Sequence, residues 1–187
     1  TTEIYTLSLH DALPICQRGL AIETSLEVDR RIMEVNYFGA IALTKYLLPH
    51  LIQQKSGHFA VISSLTGKFG TPFRSGYAAA KHALHGFFDS LRAELWKNNI
   101  KVTLIAPGFI QTTISVSALT GDGTQLNKMD DAQSNGMPVA KAARQIANAI
   151  ASRKNEVYIG GKETLGVHIK RFFPGFFSRM IRNAKVR

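Results

Sequence analysis

A tyrosine and a lysine four residues apart, Tyr77 and Lys81, form a pair that could carry out proton chemistry, and Ser64 precedes the tyrosine by 13 positions. On a helix, side chains four residues apart share one face. A free phenol has a pKa of about 10, and a cation held nearby favours the phenolate. Such a tyrosine can exchange a proton with an alcohol or a carbonyl. Because short motifs of this kind are common, the pair alone is also compatible with a packed tyrosine and a solvated lysine.

Length and composition indicate one globular domain, or a large part of one. The chain has 187 residues, of which 45% are hydrophobic, enough for a substantial core. Its net charge is +10, but +6 of this lies after position 161, so the remainder does not indicate a nucleic-acid binder. The single cysteine, Cys16, excludes an internal disulfide and favours a reducing compartment. No apolar run reaches the roughly 20 residues that span a bilayer, and we expect a cytoplasmic protein.

The segments around the tyrosine and the lysine alternate between short apolar runs and longer periodic stretches. Three runs predict buried strands, at 58–63, 101–106 and 157–159. Three periodic stretches predict helices, at 24–54, 76–97 and 138–152. Thr24 and Glu27 have the spacing of a capping box, and Ser75 could cap the second helix. A stretch rich in Gly, Asp, Asn and Gln predicts a loop at 115–136.

This order of elements favours an α/β protein whose parallel sheet is covered on both faces. Ligands bind such sheets beyond the carboxyl ends of the strands. Ser64 follows the first predicted strand, and Pro107-Gly108 follows the second. Tyr77 and Lys81 lie at the start of the helix between those strands. All three segments should therefore meet at one edge of the sheet, which argues against a merely structural tyrosine.

Two other patterns do not predict a site. His82 and His85 lie three residues apart, but no third ligand has a matching spacing, so we expect surface or packing roles and no metal site. Gly121-Asp122-Gly123 follows no predicted strand and opens no predicted helix, so it is not a phosphate-binding loop.

Together these motifs resemble the short-chain dehydrogenase/reductase family. Ser64, Tyr77 and Lys81 match the family's serine and its Tyr-x-x-x-Lys at the usual separation. Asn36 matches the family's helix asparagine, and residues 107–112 match its Pro-Gly segment after the sixth strand. Four motifs in the right order make the resemblance specific.

The resemblance runs from about Gln17 to near Gly160 and implies a Rossmann-like doubly wound parallel sheet. By the family's layout this chain carries the fifth to seventh strands with flanking helices, while the first strands are missing. Residues 17–161 would then be a partial NAD(P)-binding domain that holds the catalytic residues. The implied cofactor is NAD(P)(H), with NADP slightly preferred. The implied substrate is a small alcohol or carbonyl compound, and the intact protein is expected to be a homo-oligomer.

The family also implies a role for each matched catalytic residue. Ser64 would hold the substrate oxygen near Tyr77, and Tyr77 would donate the proton in reduction and accept it in oxidation. Lys81 would hold the nicotinamide ribose and lower the pKa of Tyr77. Asn36 would interrupt helical hydrogen bonding and anchor a water that leads from Lys81 to solvent. Taken without the family, Ser64 is better explained as a strand-end serine that satisfies a backbone group, and Asn36 is equally compatible with a polar residue tolerated within a helix.

A second set of residues would contact the cofactor together with Tyr77 and Lys81. Ile110 and Thr112 would meet the nicotinamide carboxamide. Pro107 and Gly108 would let the backbone come close to it. Outside the family context, Pro-Gly after a strand is an ordinary turn.

The first 16 residues do not fit the pattern that follows them. The stretch 5–15 resembles the translated read-through of a sequencing adaptor, and we interpret residues 1–16 as foreign. The family's Gly-rich cofactor turn, its NAD/NADP-selecting residue and its Asn-Asn-Ala-Gly segment are not found. We therefore expect this chain, as written, to aggregate and to bind no nucleotide. Resequencing the locus, and calorimetry with NADPH on soluble protein, would test these two expectations.

Residues 162–187 form a basic and aromatic tail that allows two interpretations. Within it, residues 168–187 could lie on a membrane surface, where apolar groups insert and cations meet anionic lipid. The same tail could instead be a lid over a substrate pocket or a contact between subunits. Pro174-Gly175 argues against one continuous helix.

Two classes of function remain. The first is an NAD(P)-dependent oxidoreductase acting on an alcohol or carbonyl, which the Asn, Ser, Tyr and Lys set favours. The second is a non-catalytic scaffold or membrane-surface protein that retains the fold, which the tail permits. The residues at 115–136, which should shape the pocket, show no pattern that identifies a substrate.

Overall fold

The computed structural model describes residues 14–184, and a parallel sheet of three strands lies at its centre. The strands, in spatial order, are β1 (Gly57–Ile62), β2 (Ile100–Pro107) and β3 (Glu156–Ile159). Gly57 lies opposite Ile100, and Leu104 lies opposite Glu156. Each strand begins one residue before its predicted start. The α/β class and the parallel sheet predicted from the sequence are confirmed.

Helices flank the sheet, and their bounds follow the predictions closely. Seven α-helices lie in the described residues: α1 (Leu26–Met33), α2 (Gly39–Gln54), α3 (Ser75–Glu94), α4 (Asp131–Ser134), α5 (Val139–Ala151), α6 (Leu165–Phe172) and α7 (Pro174–Ile181). The short helix α4 lies inside the stretch predicted to be a loop. A 3-10 turn, Trp96–Asn98, replaces the last turn of the helix predicted at 76–97.

The predicted helix caps were wrong by one residue. Ser25, not Thr24, is the N-cap of α1, and its hydroxyl accepts a backbone N–H of the first turn at 3.4 Å. Ser75 lies inside the first turn of α3, whose N-cap is Arg74 with no hydrogen bond from its own side chain. In both places the sequence offers adjacent residues that could begin the helix, so the pattern does not choose between them.

The helix predicted at 24–54 is unbroken but changes pitch at Glu34–Phe38, which form a π turn between α1 and α2. Asn36 lies in this turn and is buried. Its amide nitrogen donates to the carbonyl of Ile32 at 3.0 Å. A π turn interrupts the regular i to i−4 hydrogen bonding and often marks a functional position.

β2 supplies side chains to both faces of the sheet, which explains its continuous apolar sequence. On one face Leu104 packs against Leu84 and Phe88 of α3. On the other face Ile105 packs against Ala142 of α5. In the described part of the chain β1 pairs with β2 alone, so the other edge of β1 is open.

The two tail helices fold back onto the body of the protein. Phe177 of α7 packs against Phe69 with ring centroids 5.1 Å apart, in a cluster that also contains Val167 of α6. α6 ends before Phe173, and Pro174 is the first residue of α7, so the expected interruption of the tail helix is confirmed. Among residues 14–184 no helix is long and apolar enough to cross a membrane.

Candidate active site

A cavity of about 660 Å³ opens at the carboxyl ends of β1 and β2, where the sequence placed the site. Most of the predicted site residues line it: Ser64, Tyr77, Pro107, Gly108, Ile110 and Thr112. Lys81 and Asn36 are not in its wall and lie behind Tyr77 or farther along the helices. The wall is otherwise mainly apolar, so water competes little for hydrogen bonds with a polar group of a bound ligand.

Ser64 is positioned by the turn that follows β1. It is the N-cap of the 3-10 turn Leu65–Gly67, and its hydroxyl oxygen accepts the N–H of Thr66 at 3.2 Å. The same hydroxyl lies 3.4 Å from the carbonyl oxygen of Pro107, across the gap between the two strand ends. Ser64 also lies near enough to Tyr77 to lower the pKa of its phenol. Ser64 therefore bridges the ends of both strands and lies beside the tyrosine.

Tyr77 lies in the first turn of α3, and its side chain is only 6% exposed. Burial raises the pKa of Tyr77, and the neighbouring Cys16 raises it further. The guanidinium of Arg74 and the hydroxyl of Ser64 lower this pKa, but by less. The pKa of Tyr77 is therefore raised overall, whereas we expected Lys81 to lower it. The cost of removing the phenolate from water is larger than its stabilisation by the nearby cations.

Lys81 lies one turn after Tyr77, with its nitrogen 5.6 Å from the centre of the tyrosine ring. The nitrogen donates to the carbonyl of Ile62, the last residue of β1, at 3.1 Å. The residue is 3% exposed, and burial lowers the pKa of Lys81 to about 8. Tyr77 and Lys81 thus share one helix face, as predicted. The Lys81 side chain remains mainly an ammonium at neutral pH.

Asn36 lies apart from the cavity, beside the segment that precedes α1. Besides Ile32, its amide nitrogen donates to the carbonyl of Ile15 at 2.9 Å. In the described residues its amide oxygen is buried without a hydrogen-bond partner. A buried amide oxygen of this kind can accept a hydrogen bond from water. The role proposed for Asn36 in holding a water stays a prediction.

The Pro107–Thr112 segment crosses the cavity floor and is tied down at several points. The N–H of Gly108 donates to the carbonyl of Ile159 at 2.7 Å. The amide nitrogen of Gln133 donates to the carbonyl of Ile110 and, at 3.1 Å, to the hydroxyl of Thr112. A Cβ at position 108 would lie 2.5 Å from the Glu163 carboxylate and 2.9 Å from the Leu65 side chain, so a larger residue would require these side chains to move.

Sequence reasoning missed Gln17, which is fully buried and caps α3 from 59 residues away. Its carbonyl oxygen accepts the N–H of Gly76 at 2.8 Å and that of Tyr77 at 3.3 Å. Its amide nitrogen donates to the hydroxyl of Thr24 at 2.8 Å. A glutamine outside any motif gives no signal of long-range capping. It fixes the turn that carries Tyr77.

Sequence reasoning also missed a buried ion pair at the cavity wall. The guanidinium of Arg18, which is 1% exposed, binds the carboxylate of Asp130. The Arg74 guanidinium lies 3.6 Å from the same carboxylate and 5.5 Å from the centre of the Phe109 ring. The pair anchors the stretch at 115–136 to the segment before α1. Opposite charges far apart in the sequence carry no pattern that would reveal the contact.

Ile15 and Cys16 pack inside the fold although they fall in the segment interpreted as foreign. Cys16 is buried, and its carbonyl accepts the N–H of Leu119 at 2.8 Å. Residues 1–13 lie outside the described residues. The interpretation of residues 1–16 as foreign stays a prediction.

The inner faces of α6 and α7 close one side of the cavity. Gly166 and Ile169 of α6 and Phe177 and Ile181 of α7 line it. The tail is therefore part of the cavity wall, which is the arrangement that the pocket-lid interpretation requires.

His85 is a packing residue, as expected, and His82 is exposed. The ring of His85 lies 3.4 Å from the Glu156 carboxylate, which the Lys68 ammonium approaches to 3.0 Å. Burial lowers the pKa of His85 to about 4, and the Lys68 charge acts in the same direction. No group of three or more potential metal ligands occurs within residues 14–184.

Known proteins resemble this chain in both sequence and fold. The sequence profile described as short chain dehydrogenase matches residues 15–122, a range that contains every predicted site residue. The chain therefore belongs to the short-chain dehydrogenase family.

Among curated relatives, "Dehydrogenase/reductase SDR family member 7B" of Mus musculus is 44% identical over 168 residues, which are 89% of this chain and 52% of the relative. "Dehydrogenase/reductase SDR family protein 7-like" of Anopheles gambiae is 48% identical over 160 residues, 82% of this chain and 50% of the relative. The chain thus spans about half the length of the curated relatives it matches.

Among solved structures, a short chain dehydrogenase of Burkholderia cenocepacia in complex with NADP has a TM-score of 0.75. It is 20% identical, and the match covers 92% of this chain and 67% of the other, so this likeness concerns the fold alone. A 4-hydroxyisoleucine dehydrogenase complexed with NADH is 28% identical with a TM-score of 0.53, over 56% of this chain and 44% of the other.

Proposed function

We propose that this chain carries the proton-transfer half of an NAD(P)-dependent oxidoreductase site, acting on an alcohol or carbonyl group. The observation that carries the proposal is that Ser64 and Tyr77 line the same cavity, with the Lys81 nitrogen 5.6 Å from the centre of the tyrosine ring. A phenol and a serine hydroxyl converging on one cavity can together hold and protonate one substrate oxygen.

Several residues fit the reacting end of a nicotinamide cofactor. The Lys81 ammonium has three N–H donors and uses one of them for the Ile62 carbonyl, so others could bind ribose hydroxyls. Gly108 leaves the backbone open beside the cavity, and Ile110 and Thr112 line it. The related 4-hydroxyisoleucine dehydrogenase complexed with NADH supports this class of cofactor. The cofactor would supply or accept the hydride, while the chain positions the substrate and handles the proton.

The proton chemistry follows from the environment of Tyr77. A phenol is already protonated at neutral pH, and burial raises the pKa of Tyr77 further. The protonated phenol is the form that donates to a carbonyl oxygen during reduction. Ser64 would orient that oxygen through its hydroxyl. In the oxidative direction Tyr77 would have to lose its proton first, so oxidation should become faster as the pH rises.

Finer assignments belong to the same proposal. The three strands would correspond to the fifth to seventh of the family's sheet. NADP would be preferred over NAD, and Asn36 would hold a water on the route from Lys81 to solvent. These assignments rest on the family's layout and on the position of Asn36 in the π turn.

The test is oxidation of NADPH and NADH by the complete gene product, across a panel of aldehydes and ketones. Tyr77→Phe should lower kcat at least about 100-fold, since general acid catalysis contributes roughly that much or more. The matched control is Tyr46→Phe, which removes an exposed hydroxyl and should leave kcat unchanged. Equal turnover in wild type and Tyr77→Phe would end the catalytic assignment.

A further inference from the structure

The outward faces of α6 and α7 carry a cluster of exposed apolar side chains. Phe172 is 68% exposed, Phe173 65%, Phe176 63% and Met180 42%. Phe176 and Met180 are four residues apart on α7 and therefore share one face. We call these four residues the aromatic patch. An exposed apolar cluster of this kind usually marks an interaction surface.

Cations surround the aromatic patch. Arg171 lies in the last turn of α6, Arg179 lies in the last turn of α7, and Arg182 follows that helix. Lys170 lies beside Arg171, but its ammonium donates to the carbonyl of Lys68 at 2.9 Å. Residues 165–184 contain no aspartate or glutamate. Aromatic and basic side chains on a short amphipathic segment, without acidic residues, are typical of helices that lie in the interface of an anionic membrane.

The patch adjoins the mouth of the active-site cavity. Leu165 and Met180 are both exposed to solvent and line the cavity, so they form part of its rim. Phe177 and Ile181, which follow Phe176 and Met180 in the sequence, line the cavity from α7. The same two helices therefore present one side to the cavity and the other side to whatever the protein docks on.

We propose that α6 and α7 dock the protein on an anionic lipid bilayer surface through the aromatic patch, with the cavity mouth facing the lipid. The aromatic side chains insert between headgroups, while the exposed Arg171, Arg179 and Arg182 meet the anionic phosphates. A second copy of this chain is the less suitable occupant, because the positively charged surround would face an identical positive surround.

Docking on a bilayer would affect how substrate reaches the site of the reaction proposed above. The docking itself does not depend on that reaction. A carbonyl or alcohol compound dissolved in the bilayer would enter the apolar cavity without crossing water. The docking is tested by binding alone, so failure of the enzymatic proposal would leave it standing.

Flotation in a density gradient measures the docking without confusion by aggregates, because protein bound to vesicles rises while aggregates sink. The chain should float with phosphatidylcholine vesicles that contain phosphatidylserine and should not float with phosphatidylcholine alone. Added salt should weaken binding. Arg179→Gln should lower the partition coefficient about fivefold, the effect expected of one interfacial cation. Phe176→Ser should lower it about tenfold.

A fluorescence reporter locates the contact. The chain has one tryptophan, Trp96, which is exposed and lies outside the tail. In a Trp96→Phe/Phe176→Trp double variant, anionic vesicles should shift the emission to shorter wavelength, whereas the Trp96 emission of the wild type should not change. Circular dichroism confirms that both proteins are folded equally.

Three results would overturn the proposal. The first is failure of the wild type to float with anionic vesicles. The second is equal flotation of wild type and Phe176→Ser. The third is a change in oligomeric state caused by Phe176→Ser in sedimentation velocity, with no effect on flotation, which would assign the patch to a second copy.

Discussion

Replacing Gln17 by leucine should destabilise the whole site, because one buried glutamine holds the start of the helix that carries Tyr77. Gln17 is fully buried, and its carbonyl oxygen accepts two backbone N–H groups, those of Gly76 and Tyr77. The α3 N-cap, Arg74, supplies no side-chain hydrogen bond of its own to this turn. Leucine has a similar volume but no acceptor, so both N–H groups lose their partner.

The size of the effect follows from that count. A buried donor left without a partner costs about 1–3 kcal/mol. The bond to Gly76, at 2.8 Å, is the stronger of the two, and the bond to Tyr77, at 3.3 Å, is the weaker. We therefore expect Gln17→Leu to lower the free energy of unfolding by about 2–4 kcal/mol. The hydroxyl of Thr24 also loses the amide donor of Gln17.

Urea denaturation followed by far-UV circular dichroism measures this difference. The matched control is Gln53→Leu, an exposed position on α2, where the same chemical change should alter the free energy of unfolding by less than about 0.5 kcal/mol. If Gln17→Leu were no more destabilising than Gln53→Leu, the capping role assigned to Gln17 would be incorrect.

Two further predictions concern stability. Burial lowers the pKa of His85 from 6.5 to about 4. Between pH 6.5 and pH 4 the unfolded chain therefore binds a proton that the folded chain does not, so the free energy of unfolding falls as the pH drops through this window. Relative to His85→Leu, the wild type should lose up to about 3 kcal/mol there, measured by urea titrations at several pH values; a loss equally relieved by His82→Leu would contradict this. Phe177→Ala should lower the free energy of unfolding by about 3 kcal/mol, because Phe177 is buried against Phe69. Phe176 is exposed, so Phe176→Ala should lower it by less than about 0.5 kcal/mol. Equal urea midpoints for the two variants would refute the assigned packing.

The strands and main helices were predictable because their signals are local. β2 is buried on both faces, so its sequence is a continuous apolar run that differs sharply from its surroundings. The Tyr77–Lys81 pair was predictable for the same reason, since helical spacing alone puts both residues on one face. Ser64 and Pro107 were placed correctly because parallel strands end at one edge of the sheet.

What the sequence did not reveal depends on contacts between distant residues. Gln17 caps α3, and Arg18 pairs with Asp130 across 112 positions, yet neither contact leaves a periodic or spaced pattern. The direction of the Tyr77 pKa was also mispredicted. Spacing identifies Lys81 as a neighbour, but it does not reveal how fully the phenol is removed from water, and burial is the larger effect.

The open edge of β1 offers a route to reconstitution. Within the described residues its outer edge has no strand partner, so its backbone N–H and C=O groups are available to pair with another strand. A separately expressed polypeptide that contributes a parallel strand could add there, as peptides do when they extend a sheet in strand-addition complexes. The outer edge of β1 is therefore the position at which a second polypeptide could be docked, and hydrogen-exchange protection of the β1 amides would report its binding.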